Sequence, residues 1–207
     1  MGTDEDRGMN HRLRDGTDVA IEPLGSRDED EVAALLRALP ERDLLFVRVD
    51  VTDDAVLHRI FDSEHSERET IGVIARRNGT ILGCTLLQRP RVAWMRHVGS
   101  ILVVVQPAAR GLGLGTMLVR RTVLLADDVG VEKIVARMVV EDRDTVRVFE
   151  KLGFRHEGLL IDHAKASDGT LYDIAYMGLA VRKYRDAIEA AGNNVDMTRR
   201  TRREAAR

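Results

Sequence analysis

The sequence is short of the residues that announce several large protein classes. A single cysteine, Cys84, occurs in 207 residues, so an internal disulfide framework is excluded and a reducing compartment is expected. No apolar run approaches the roughly 20 residues of a bilayer span, and no membrane partner is expected. The opening MGTDEDRGMN is acidic and polar, the reverse of a secretory leader with its basic start and apolar middle. A cytoplasmic location follows as the expectation. The six histidines (His11, His58, His65, His97, His156 and His163) show no HExxH or other close ligand spacing, so no metal is expected. An excess of one charge is also missing. The 32 Lys and Arg against 34 Asp and Glu leave a net −2, which gives the chain as a whole no electrostatic reason to bind nucleic acid.

What is present fits one domain with tails: 44% hydrophobic and 32% charged residues in a chain long enough to bury a full core. Residues 1–16 read as a mobile lead, 17–190 as the domain, and 191–207 as a mobile basic tail. The cluster Arg199–Arg203 in that tail reads as a solubilising segment or as a contact for nucleic acid or a membrane surface.

Within the domain, Thr17–Leu24 alternates as a strand, and Asp28–Leu39 puts Val32, Leu35, Leu36 and Leu39 on one helical face. Between Pro40 and Thr70 the pattern is ambiguous, with LLFVRVDV reading as a strand and DDAVLHRIF as a helix behind an Asp cap. Ile71–Arg77 and Thr80–Leu87 form a hairpin about Asn78-Gly79. Met95–Val105 is β-rich and Leu112–Val129 helical, followed by a strand at Lys133–Val140 and a helix from Arg143 to Leu152 stopped by Gly153. Phe154–Ile161 and Leu171–Leu179 are strands about an Asp168-Gly169 turn, and residues 180–190 a last helix. This order predicts an α/β fold, a mixed sheet with helices on both faces. Cys84, in a hairpin strand, reads as a small buried hydrophobe.

The densest signal is the stretch VVVQPAARGLGLGT, Val103 to Thr116. A strand, a loop and a helix start follow in immediate succession. Glycines at 111, 113 and 115 remove side chains, so backbone N–H groups can converge at a helix N-terminus, where an anion such as a diphosphate is favoured. Arg110 adds a fixed positive charge. The spacing is not the GxGxxG of dinucleotide folds, and no Gly-Lys-Ser/Thr follows as in a P-loop.

Arg110, Gly113 and Gly115 after VVVQP resemble motif A of the GNAT acetyltransferases. EDRDTVRVFEKLGF, Glu141 to Phe154, resembles the family's second stretch, with Phe149, Gly153 and Phe154 in register. GLLIDHAKASDGTLYDIAYMGL resembles the last hairpin of many members. The resemblance covers roughly residues 17–185. It implies a central, mostly antiparallel sheet whose fourth and fifth strands, here Met95–Val105 and Lys133–Val140, splay to admit the acyl-pantetheine arm. It also implies acetyl-CoA as acyl donor and a primary amine of a small molecule or protein as acceptor. Val103, Val104 and Val105 would then line the arm, with backbone groups of Val103 and Val105 paired to it and an N–H near Val105 polarising the thioester carbonyl. Arg110, Gly111, Leu112, Gly113, Leu114, Gly115 and Thr116 would hold the diphosphate, and Asp142 and Phe149 would flank the coenzyme. Dimerisation through the last hairpin is common in the family.

A free amine is needed for attack, and a lysine-like amine of pKa about 10.4 is neutral in roughly one molecule per thousand at pH 7. A general base is therefore sought. His97 and Glu141 are the candidates; the first reads equally as an ordinary strand histidine, the second as a solvated helix-start carboxylate. Many members carry a tyrosine where Phe149 stands, as the acid for the departing thiolate. Tyr172 or Tyr176 on the last hairpin offers a phenol instead, or else packs as an aromatic. Glutamate, found in some members near the position of Ser100, is absent. Asp162 and Asp173 read as selectors of a cationic amine or as strand-edge acids. Two other classes stay open: a catalytically weak acyl-CoA-binding module, motivated by Phe149, and a binding protein that uses Arg199–Arg203.

Overall fold

The computed structural model describes residues 9–45, 47, 51–62 and 68–190 of the chain. Among the described residues eight strands form one sheet, in the order β1-β2-β3-β4-β5-β6-β8-β7. Its first half is a run of antiparallel neighbours: β1 (Met9–Arg12), β2 (Asp18–Pro23), β3 (Arg68–Arg77), β4 (Thr80–Pro90) and β5 (Val98–Val105). Asn78 and Gly79 take φ values of 51° and 83° in the β3–β4 turn, the double positive φ that the Asn-Gly pair predicts. Then β5 pairs in parallel with β6 (Lys133–Val139), and β6, β8 (Leu171–Ala180) and β7 (Arg155–Lys165) complete the sheet antiparallel. At the β7–β8 turn, the Thr170 N–H donates to Asp168 at 2.8 Å and holds that carboxyl below its ordinary range.

Helices cover both faces, as the order of elements predicts. On one face α1 (Glu29–Arg37) and α3 (Asp54–Phe61) bury Val32, Leu36, Leu57 and Ile60 against Ile74, Cys84, Leu86 and Val104. Asp53 caps α3 by accepting from the N–H groups of Ala55 and Val56. On the other face α4 (Leu114–Asp128) and α5 (Arg143–Lys151) pack on Ile101, Ile134, Ala136, Met177 and Leu179. Alternate residues of β5 thus go to opposite cores, the two-residue period of a strand buried on both sides. A buried hydroxyl pair, Thr85 and Thr122 at 2.5 Å, ties α4 to β4. Residues 181–190 are helical after β8.

Three expectations shift. Residues 9–16 do not belong to a mobile lead: Met9–Arg12 is a strand on β2, and Leu13, 3% exposed, packs with Ala109, Leu114 and Leu118. The fold therefore begins ahead of Thr17. The segment LLFVRVDV opens with Leu44 as the last residue of a short helix α2 (Glu41–Leu44) rather than a strand, behind Pro40. Phe46 and residues 48–50 lie outside the described residues. Finally, β5 starts at Val98 because Ala93–Met95 is a 3-10 turn. The opposing Pro90 has no N–H to give, and the β4–β5 ladder ends at Gln88–Ser100. The tail 191–207, with its arginine cluster, also lies outside the described residues.

Candidate active site

The parallel ladder between β5 and β6 is short. It runs from Val98–Lys133 to Ile101–Ala136, although β5 continues to Val105 and β6 to Val139. The polarity of the free edge follows from the register. Gln106 N–H donates to Leu82 C=O at 2.8 Å across the β4–β5 pair, so even-numbered residues of β5 direct their backbone groups toward β4. Val103 and Val105 direct theirs toward β6, beyond the last ladder pair. Past that pair lies a fork, the ends of two strands that share no further ladder pairs.

Immediately after the fork, the chain turns through Pro107–Ala109 and the glycines into α4. Gly111 and Gly113 have φ of 74° and 91°, a region that L side chains enter at a cost of about 1–2 kcal/mol. Gly113 is the N-cap, and the first helical bond runs from Met117 N–H to Gly113 C=O. The N–H groups of Leu114, Gly115 and Thr116 therefore have no acceptor within the helix. Leu114, 1% exposed, anchors the helix start in the core. A Cβ at Gly115 would make an ordinary 3.6 Å contact with a methyl of Val105, so the turn lies against the end of the strand. Backbone donors at a helix N-terminus suit an anion such as a diphosphate, and a strand end without a ladder partner suits an amide-bearing arm.

Two arginines flank the turn. Arg110 donates from Nε to the Val105 carbonyl at 3.1 Å, and its guanidinium pairs with Asp43 of α2. Arg14, whose N–H donates to Leu112 C=O at 3.2 Å, places Nε 3.7 Å from where a Cβ of Gly113 would stand. The assignment of residues 1–16 to a mobile lead hid Arg14 from the sequence reading.

On the face of α1–α3, the fork opens beside a cavity of about 390 Å3. Its described walls are Glu41, Leu44 and Leu45 from α2 and its end, Arg137 of β6, His163, Ala164 and Lys165 of β7, and Ile174 of β8. Arg137 is the first residue of β6 past the last ladder pair. It donates to Ser100 Oγ at 3.0 Å and lies 5.6 Å from the Tyr176 ring centroid. Glu41 accepts from Ser167 N–H at 2.6 Å and hydroxyl at 2.9 Å, joining α2 to the β7–β8 turn. His163 reaches the wall through a bulge: three β7 residues, 161–163, face only Asp173 between the pairs Leu160–Ile174 and Ala164–Tyr172. Asp162 has φ of 50°, and its N–H donates to Asp173 Oδ1 at 2.8 Å. Bulges re-aim side chains in this way. Asp162 and Asp173 thus shape the strand, and neither is among the cavity's described walls.

The remaining candidates separate. His97 stands exposed before β5, its carbonyl taking the N–H groups of Glu132 and Lys133. Four residue steps, about 13 Å at the usual rise, separate it from the fork at Ile101. Glu141 is exposed beyond the end of β6 that lies past the fork. Asp142 caps α5, bonded to Thr145 N–H at 3.1 Å and Oγ1 at 2.6 Å. Phe149 is 6% exposed, its ring edge-on to Phe154 at 4.8 Å in the core. Tyr172 is half-buried, on the face of Ile174 and opposite Ala164. Cys84 is fully buried, its thiol pushed up to about 12 by that burial. Among the described residues no group of three His, Cys, Asp or Glu is placed to hold a metal, and no helix is long and apolar enough to cross a membrane.

Sequence reasoning missed the cavity. Arg137 carried a signal, a lone cation inside the apolar run IVARMVV; His163, Lys165 and Glu41 carried none.

Similarity to known proteins agrees with the fold. The sequence model of the acetyltransferase (GNAT) family matches residues 28–154, and the chain belongs to that family. A Bacillus subtilis protein provisionally named a phosphinothricin acetyltransferase is 26% identical over 120 residues, 56% of this chain and 71% of that protein. A GNAT-family acetyltransferase from Streptococcus pneumoniae matches with a TM-score of 0.68 at 21% identity, over 78% of this chain and 99% of its own. A Salmonella typhimurium protein solved with acetyl-CoA gives 0.67 at 18%, over 80% and 95%. Spermidine N-acetyltransferase from Vibrio cholerae, solved with CoA and spermine, gives 0.64 at 16%, over 80% and 97%. At these identities the structural likeness establishes the fold.

Proposed function

We propose that the protein is an N-acetyltransferase that moves an acetyl group from acetyl-CoA to a primary amine by direct attack. The observation that carries this reading is the fork: the β5–β6 ladder stops at Ile101–Ala136, and the glycine turn with its free N–H groups follows within the same stretch of chain. The family and the acetyl-CoA held by the Salmonella relative support the donor.

Acetyl-CoA, when bound, supplies a thioester whose C–S bond breaks as the bond to nitrogen forms, leaving a thiol of pKa about 8.5. Leu114, Gly115 and Thr116 offer N–H groups to the diphosphate, and Arg110 exchanges Asp43 for it. Val103 and Val105 offer backbone groups to the pantetheine arm, and the Val105 N–H polarises the thioester carbonyl. An imidazole nitrogen of His163 takes the proton that the amine must lose, because it lines the cavity and an imidazole nitrogen can serve as a general base. His97 is set aside for this role by its distance from the fork. Glu141 is retained only as a rim carboxylate. The thiol needs no phenol to leave, so a core Phe149 is compatible with turnover.

The test is a thiol-release assay with acetyl-CoA and a panel of primary amines. Amine-dependent release of CoA is expected. Micromolar CoA binding with no release from any amine would contradict the transfer reading, and would favour a module that binds acyl-CoA without turnover.

A further inference from the structure

We infer that Arg14, in the turn between β1 and β2, is a phosphate-binding residue of the coenzyme site and receives the diphosphate at the N-terminus of α4. This rests on the coenzyme reading of the glycine turn. It extends that site to a segment ahead of residue 28, where the family match begins.

The β1–β2 turn is tied to the glycine loop at two points. Leu13, 3% exposed, packs with Ala109, Leu114 and Leu118, and Arg14 N–H donates to Leu112 C=O at 3.2 Å. Leu13 N–H donates to Thr17 C=O at 2.8 Å and closes the turn. The Arg14 side chain then reaches the helix start, with Nε 3.7 Å from where a Cβ of Gly113 would stand. That sets the guanidinium at the N-cap, next to the N–H groups of Leu114, Gly115 and Thr116, which have no acceptor within the helix. Guanidinium and helix-start donors so placed converge on one anion.

Arg14 is also the arginine with its donors to spare. Arg110 spends Nε on the Val105 carbonyl at 3.1 Å and pairs with Asp43. The two acids of the β1–β2 turn are engaged elsewhere. Asp15 accepts from the N–H and the hydroxyl of Thr17, both at 2.9 Å, and Asp18 pairs with Arg12 at 3.1 Å. The glycine loop brings no acid of its own, because no Asp or Glu lies between Glu69 and Asp127. Among the described residues no carboxylate holds Arg14. An exposed planar guanidinium set against unpaired helix donors suits a group that carries several phosphate oxygens.

Calorimetric titration with CoA and with dephospho-CoA, which keeps the diphosphate and lacks the 3′-phosphate, tests the assignment. Arg14→Gln should weaken both by about tenfold, the low end for a hydrogen bond to a charged group because the arginine is exposed. Its Tm should not move. Arg14→Lys keeps the charge without the planar donors and should fall between. Arg12→Gln removes the same charge from the neighbouring strand and should bind CoA as the parent protein does. In the thiol-release assay Arg14→Gln should raise KM for acetyl-CoA and keep kcat. Unchanged CoA affinity in Arg14→Gln would overturn the inference, as would an equal loss in Arg12→Gln. A loss for CoA with dephospho-CoA unaffected would assign Arg14 to the 3′-phosphate and overturn its role at the diphosphate. Should the parent protein bind no CoA, the coenzyme reading fails, and titration with inorganic pyrophosphate decides. Saturable binding that is lost in Arg14→Gln then upholds the anion site, and any other result overturns the inference as well.

Discussion

The glycine turn and the cavity lie on either side of one fork, yet they are made of different material. The turn is a single stretch, Val103 to Thr116, and what it presents is backbone: strand-edge groups, then the first N–H groups of α4. The cavity is assembled from α2, β6, β7 and β8, and what it presents is side chains. Backbone recognition needs glycines and a helix start at set spacing, which any reader of the sequence can find. Side-chain recognition needs only that distant segments meet, and the sequence does not state where they meet. The coenzyme half can thus be fixed by local chain geometry while the acceptor half varies.

The sharpest way to break this comparison is Gly113→Glu. A carboxylate at the N-cap should weaken CoA binding by roughly 100-fold or more, since like charges brought together cost several kcal/mol. Gly111→Ala, at a similar positive φ and with nothing within 4 Å of the added Cβ, shares the strain of about 1–2 kcal/mol without the charge. It should keep CoA binding while lowering Tm, so calorimetry and thermal melts on both separate charge from strain.

On the acceptor side the largest effect should come from His163→Gln, with kcat down about 100-fold and CoA affinity kept. His97→Gln should leave both unchanged. An unchanged kcat in His163→Gln would return the base to Glu141 or to solvent.

The same contrast explains what was legible. Asn78-Gly79, Gly153 and the alternation in β5 are local signals, and the elements they mark formed where expected. The strand at Met9–Arg12 is polar and short; its warrant is the burial of Leu13 beneath Leu114, more than 100 residues away in sequence. The bulge at 161–163 depends on Asp173 from the neighbouring strand, so the placing of His163 has no local cause. Phe149 was legible as a family position but not as a core ring, because its fate is decided by Phe154.

A smaller effect tests the bridge between the halves. Asp43 of α2 holds Arg110, and Glu41 of the same helix holds Ser167. Asp43→Asn should release Arg110 and tighten CoA binding about two- to fivefold, the range of a part-exposed ion pair, readable by calorimetry. Smallest of all should be any effect of thiol reagents. Cys84, raised by burial from 9.0 to about 12, stays a neutral thiol and should label only as fast as the protein unfolds. Because its folded pKa lies above the unfolded one, stability should fall as pH rises from 9.0 toward about 12.

The central claim is that the fork and the glycine turn together hold the coenzyme. Hydrogen exchange followed by mass spectrometry, with and without saturating CoA, tests it without any knowledge of the acceptor. Amides from Val103 to Thr116 should gain protection on CoA binding, with those of 161–173 left nearly unchanged until an acceptor is added. Unchanged exchange over Val103–Thr116 under saturating CoA would contradict the account.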